Sequence, residues 1–223
     1  MKGSKMTEQE YRQQLVDYSR LAISRKLSNA TAGNISVRSG DGMLITPSGI
    51  DPDRMSPDQI VRVAFDGTAS GDWKPSSEWA LHAALYLARP EATAIVHAHP
   101  TYCVAISCLR APIPPFHYMI ASFGGNEVPC APYAPFGSQA LADAVAATMG
   151  QDYAACLMAN HGMIALGRSL QTAFALTEKL EVLAHQYQLA CSIGTPTLLN
   201  EDDMATVHRA YRSYGYGKPA AAR

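Results

Sequence analysis

An α/β fold, with a central mixed sheet covered by helices, is what this sequence predicts, and three observations predict it. Stretches with apolar residues at helical spacing alternate along the chain with short β-type apolar runs. Capping residues and turn signals stand at the boundaries between them. The unusual residues, histidines above all, gather where apolar runs end, as in Ala94-Ile95-Val96-His97-Ala98-His99-Pro100. Such strand-end loops are where scaffolds of this class carry their chemistry.

The elements follow in order. Residues 7–27 read as an amphipathic helix: Thr7 is its N-cap, Glu10 completes a capping box, and Tyr11, Leu15, Tyr18, Ala22 and Ile23 form its apolar stripe. A turn-rich segment at 28–33 leads to strands at 35–37 and 43–45, hinged at 39–42. Thr46-Pro47-Ser48-Gly49 is a turn, and Ser56-Pro57-Asp58-Gln59 opens a short helix. A strand at 61–65 turns at Asp66-Gly67. Ser77 is placed to cap a helix over 78–88, stopped by Arg89-Pro90. The strand at 95–99 precedes a helix at 101–109, and the Pro- and Gly-rich stretch 110–137 reads as strands and loops. Ser138 caps a helix to Met149, strands flank His161, and helices are expected at 171–193 and from about 200 to 211.

With 223 residues the chain suits one domain with a sizeable core, expected over 6–217. Residues 1–5, which precede a second methionine, are set aside as an expression remnant, and 218–223 as a flexible tail. Hydrophobic residues make up 48% and charged residues 17%, which excludes a disordered chain. A net charge of −1 without any Lys/Arg run gives no reason to expect nucleic acid or an anionic membrane as partner. No apolar stretch reaches membrane-spanning length and no signal-type segment stands at the start, so a cytoplasmic location is expected. Five cysteines, an odd number without C-x-x-C spacing, fit a reducing compartment. Cys156, inside an apolar run, reads as a small core residue rather than a nucleophile.

Two residues apart on a strand, His97 and His99 project to one side, about 7 Å apart at their Cα atoms. His161, just after the apolar run 154–158, offers a third imidazole. A single histidine in such a place is ordinarily a core or surface residue. Three neutral imidazole nitrogens with an open fourth position are what a catalytic Zn²⁺ requires. Glu78, in Pro75-Ser76-Ser77-Glu78-Trp79, could serve only the helix dipole. Beside a metal it could instead take a proton from carbon next to a polarised carbonyl. Three turns rich in hydroxyls and glycine, around Thr31-Ala32-Gly33-Asn34, Ser48-Gly49 and Ser76-Ser77, offer N–H groups and hydroxyls for a phosphate. No nucleotide-binding glycine motif is present. Tyr118 suits either a general acid or a buried aromatic. His82 and His117 are read as non-ligands, and His185 and His208 as surface residues.

The ordered strings TAGNISVR (31–38), GMLITPSGI (42–50), PSSEW (75–79), HAHP (97–100), IPPFHYMIASFGGN (113–126), VPCAPYAPFG (128–137) and NHGMIA (160–165) resemble the zinc-dependent class II aldolase/adducin superfamily. Within it they are most similar to the L-fuculose-1-phosphate aldolase branch, from about residue 11 to about 214. The resemblance implies a three-layer α/β/α sandwich around a mainly antiparallel nine-stranded sheet, assembled as a C4 tetramer with active sites between subunits. It implies His97, His99 and His161 as zinc ligands, with Mn²⁺ or Co²⁺ as substitutes, and Glu78 as catalytic acid/base. Asn34 would contact the enediolate region, while Thr31, Gly33, Ser48, Gly49, Ser76 and Ser77 would surround the phosphate. Tyr118 would reach in from a neighbouring subunit, and Phe136 and Tyr214 would shape the aldehyde end. The implied reaction is reversible cleavage of a ketose 1-phosphate into dihydroxyacetone phosphate and an aldehyde. Lactaldehyde is the expected aldehyde, with 5-deoxyribulose and 5-methylthioribulose 1-phosphates as alternative substrates. A pentulose-5-phosphate 4-epimerase would carry Asp in place of Glu78. An adducin-like assembly module would have lost the metal residues.

Overall fold

The computed structural model describes residues 6–213. Eight strands form one sheet: β1 (Asn34–Ser39), β2 (Gly42–Ile45), β3 (Val61–Ala64), β4 (Ala69–Ser70), β5 (Ala94–Ala98), β6 (Cys130–Ala131), β7 (Ala155–Met158) and β8 (Gly162–Gly167). Their spatial order is β4-β3-β2-β1-β5-β8-β7-β6. Every neighbouring pair is antiparallel except β6 with β7, so the sheet is mixed and mainly antiparallel, as expected. The helices are α1 (Glu8–Ser24), α2 (Trp79–Ala88), α3 (Thr101–Ser107), α4 (Gln139–Met149), α5 (Leu170–Ile193) and α6 (Glu201–Ser213).

Strand alternation sorts side chains onto two faces. Ile35, Val37, Leu44, Val96, Met163 and Ala165 pack with residues of α1, α3 and α5 in one apolar cluster. Met43, Ile45, Ile95, Cys156, Ile164 and Leu166 pack with α2 and α4 in the other. Helices therefore cover both faces and give the three-layer sandwich. Local signals behave as the sequence predicts at two ends: Thr7 and Glu10 close a capping box on α1, and Ser138 caps α4; Ser169 caps α5. All five cysteines are free, with Cys156 and Cys103 buried in the core.

Four expectations are corrected. Among the described residues the sheet has eight strands rather than nine. The nearest thing to another is a lone antiparallel bridge between Ile113 and Val128. Pro112, Pro114, Pro115 and Pro129 flank it, and each removes a ladder donor. Part of the 110–137 segment, expected as strands and loops, winds into a 3-10 helix at Tyr118–Phe123, ended by Gly124 at φ 100°. The helix α3 stops at Ser107 instead of running to 109, because the chain turns away at Arg110, whose φ is 54°. Finally, Ser77 does not cap α2: Glu78 occupies the N-cap with φ −100° and ψ 17°, and its carboxylate makes no capping bond. That carboxylate is drawn elsewhere.

Candidate active site and metal centre

The end of β5 delivers two of the three histidines. His97 pairs across the ladder with Asn34 of β1 and faces the α2 side of the sheet, and His99 follows two residues later. His161 comes from the tight turn joining β7 to β8, where Asn160 takes φ 55° and the His161 N–H donates to the Met158 carbonyl at 3.0 Å. Asn is among the few non-glycine residues that tolerate this left-handed conformation. The turn swings the third ring over the other two: the three ring centroids lie 4.6, 4.9 and 4.9 Å apart. Their ligand nitrogens all lie within 4.8 Å of one another.

Two glycines make this approach possible. A Cβ at Gly162 would stand 2.6 Å from the Ala98 carbonyl and 3.0 Å from the His99 ring. At Gly33, with φ 82°, it would meet Ser28 Oγ at 2.6 Å and the His97 carbonyl at 2.8 Å.

Several observations fit this donor set to a metal ion. His97 Nδ1 lies 2.8 Å from the Met163 carbonyl, an acceptor only, so Nδ1 carries a proton there. That bond fixes the ring with Nε2 turned into the cluster, 2.8 Å from His99 Nε2, as expected of a ligating histidine. Glu78, on the opposite side, places Oε2 at 3.0 Å from His97 Nε2 and Oε1 at 3.5 Å from His161 Nε2. Oε1 is buried without a hydrogen-bond partner, the only such side-chain atom found among the described residues. An orphaned carboxylate oxygen beside three imidazoles is an arrangement that a bound ion or substrate proton would complete. The trio could hold a metal ion.

The electrostatics point the same way. Burial works to raise the Glu78 pKa, but the His97 ring, the Asn34 amide and His161 overcome it, and the carboxyl stays well below its ordinary value. Burial opposes charge on His97, while Glu78 draws a proton onto it and raises its pKa. Burial and the neighbouring imidazoles push His99 down to about 3 and His161 down to about 4. Those two rings are neutral at physiological pH, the form in which imidazole binds metal.

Above the cluster opens a cavity of about 400 Å³. Thr31, Gly33, Asn34, Ser48, Gly49, Ser76, Ser77, Glu78, His99, His161 and Phe136 line it, so most residues expected at the site meet there. Its lining contains no Lys or Arg. The bridge between Pro47 and Pro75 pins the two hydroxyl-rich turns together, and Gly49 takes φ 70° on the open side. Tyr118 is not brought in by its own chain: it is 47% exposed on the 3-10 helix and does not line the cavity. It is not the buried aromatic of the alternative reading. Tyr214 lies outside the described residues.

With this geometry in view, the chain compares directly with known proteins. The family model described as Class II Aldolase and Adducin N-terminal domain matches residues 13–188. The chain belongs to the class II aldolase family. This membership makes it a lyase of aldolase type. The class II aldolase relatives include a 5-methylthioribulose-1-phosphate/5-deoxyribulose-1-phosphate aldolase of Rhodospirillum rubrum, 42% identical over 96% of this chain and 96% of its own. An L-fuculose phosphate aldolase of Escherichia coli is 43% identical over 85% of this chain and 88% of its own. A solved structure of an L-fuculose 1-phosphate aldolase superposes with a TM-score of 0.87 at 37% identity, covering 94% of this chain and all of that one.

One buried partner of Asn34 escaped the sequence reading. His82, read from the sequence as a non-ligand, stands outside the histidine trio, fully buried and hydrogen-bonded to Asn34 and Ser36. The signal lay in spacing: Glu78, His82 and Tyr86 recur every four residues on an otherwise apolar helix, opposite Asn34 and Ser36 on alternate positions of a strand. The remaining histidines are only partly exposed: His185 stacks on Tyr102 at 3.8 Å, and His208 bonds Asn126 at 3.0 Å.

Proposed function

We propose that this protein reversibly cleaves a ketose 1-phosphate of the L-fuculose 1-phosphate type into dihydroxyacetone phosphate and an aldehyde. The observation that carries the proposal is the Glu78 carboxylate, buried on the cavity floor with one oxygen unpartnered and facing three convergent imidazoles. His97, His99 and His161 hold a divalent ion, zinc by the softness of an all-imidazole set. When bound, that ion supplies Lewis acidity toward a substrate carbonyl.

The chain's own residues do the rest. The hydroxyls and N–H groups of Thr31, Gly33, Ser48, Gly49, Ser76 and Ser77 cradle the phosphate by dipoles, in a cavity whose lining offers no basic side chain. In the cleavage direction the C4 hydroxyl gives up its proton to solvent by way of Tyr118 of a neighbouring copy, as the C3–C4 bond breaks and the aldehyde forms. The electron pair passes to C3 in conjugation with the C2 carbonyl, and the Glu78 carboxylate relays a proton taken up from solvent to C3. Tyr118, exposed on its own chain, serves the aldehyde oxygen in the site of a neighbouring copy, within a C4 tetramer. Phe136 shapes the aldehyde end.

A second reading, cleavage of 5-methylthioribulose or 5-deoxyribulose 1-phosphate, is favoured by the Rhodospirillum rubrum relative, whose match extends over 96% of the chain. The exposed rings of Tyr133 and Phe136 at the cavity also suit an apolar substrate end. All three substrates end in a methyl or methylthio group. The test is kcat/KM for L-fuculose, 5-deoxyribulose, 5-methylthioribulose and L-rhamnulose 1-phosphates. The proposal expects fuculose 1-phosphate to lead the panel; a lead of tenfold or more by either ribulose ester installs the second reading. Absence of cleavage for all four contradicts both.

A further inference from the structure

We infer that His82 is a positioning residue: through the Asn34 amide it fixes the direction in which the Glu78 carboxylate points. The inference rests on the proton-transfer role proposed for Glu78 and extends it to His82, Ser36 and Tyr86, none of which lines the cavity.

A polar ladder crosses the otherwise apolar layer between α2 and the sheet. Asn34 Nδ2 donates to Glu78 Oε2 at 2.9 Å, and Asn34 Oδ1 lies 2.6 Å from His82 Nε2. His82 Nδ1 lies 2.7 Å from Ser36 Oγ, which lies 2.9 Å from the Tyr86 hydroxyl. Four helix residues advance about 6 Å and two strand residues slightly more. Glu78, His82 and Tyr86 therefore interleave with Asn34 and Ser36 without strain on either backbone. All five side chains are buried.

Only one direction of hydrogen bonding satisfies this chain. A carboxylate is an acceptor, so the Asn34 amide must turn its NH₂ to Glu78 and its oxygen to His82. His82 Nε2 must then carry the proton. Burial pushes the His82 pKa down to about 3, so the ring is neutral and its Nδ1 is left as acceptor. Ser36 donates to that nitrogen, and the Tyr86 hydroxyl donates to Ser36. Each link fixes the next, ending at Oε2 and leaving Oε1 alone to move a proton. Without the imidazole, the Asn34 amide loses the bond that anchors its oxygen and can swing its NH₂ out of line with Oε2. A displacement of that kind at the reacting group costs rate far more than binding.

The experiment compares wild-type protein, H82L and H82Q, each with its metal content and melting temperature measured. The readouts are exchange of the dihydroxyacetone phosphate C3 proton with solvent deuterium, kcat, KM, and the ¹⁵N signals of the His82 ring. H82Q keeps a donor within reach of Asn34; H82L does not. The inference expects H82L to lose 10- to 100-fold in exchange and kcat, with KM changed less than threefold and metal retained. It expects H82Q to recover most of the loss, and the wild-type ring to be the Nε2–H tautomer. Should H82L fail to fold, H82Q and the tautomer decide. An Nδ1–H tautomer, wild-type exchange in H82L, or equal losses in H82L and H82Q would overturn it. If wild-type protein itself exchanges no proton, the proposed function fails instead, while the tautomer still reports on the ladder.

Discussion

The two faces of the sheet each bury a continuous apolar cluster, the larger under α1, α3 and α5, but treat their polar groups in opposite ways. On the face covered by α1, α3 and α5, the buried hydroxyls of the helices bond within their own helix. Ser19 donates to the Leu15 carbonyl, Ser107 to Val104 and Thr177 to Ala173, each three or four residues back. On the α2 face, Asn34, Ser36, Glu78 and His82 bond only to other elements, from strand to helix. A self-satisfied hydroxyl asks nothing of its neighbours. A cross-element network does: removing one member leaves a buried partner unpaired, the expensive outcome in a low-dielectric interior. Such a network is kept where direction matters, and this one ends at the carboxylate beside the histidine trio.

The contrast can be sharpened experimentally. The largest effect is expected at its end: Glu78→Gln keeps shape and metal but loses the proton carrier, so turnover should fall about 10²- to 10⁴-fold. Near-normal cleavage by that variant would remove Glu78 from the chemistry. Acid should act next, on the metal-free protein. His82, His99 and His161 have pKa values of about 3, 3 and 4 in the folded chain, below the ordinary value of 6.5. The unfolded chain then binds more protons, and stability falls as pH drops from about 6.5 toward 4. His97, whose pKa is raised, opposes this in part, since its contribution is present at low pH and lost as pH rises. A melting temperature that is flat between pH 7 and 4.5 would contradict the neutral cluster.

Smaller effects separate the two faces directly. Ser36→Ala strands His82 Nδ1 and the Tyr86 hydroxyl, and should cost about 1–3 kcal/mol by denaturant unfolding. Ser107→Ala removes only a local bond and should cost less than about 1 kcal/mol. Equal costs would erase the distinction.

How legible all this was in the sequence depended on whether a signal was local. The spacing of His97 and His99 encodes a shared side because strand geometry has period two, and His161 stood out by following an apolar run. Thr7 and Ser138 announced their helices through capping chemistry. Ser77 misled for a physical reason: the carboxylate next to it is claimed by Asn34 and His97, and it shifts the N-cap by one residue. The stretch 110–137 carries too many prolines for periodicity to speak, so its 3-10 helix and its single bridge were hidden. His82 was passed over because its partners lie 46 and 48 residues away, on a strand whose neighbour in space only the folded sheet reveals.

The most direct test of the central claim is elemental analysis of purified protein, with His97→Ala prepared in parallel and both titrated with zinc after chelation. The account predicts close to one divalent ion per chain in the wild type and almost none in the variant, with cleavage lost alongside the metal. A wild-type protein that takes up no ion, or a His97→Ala variant that holds it as tightly, would contradict the account.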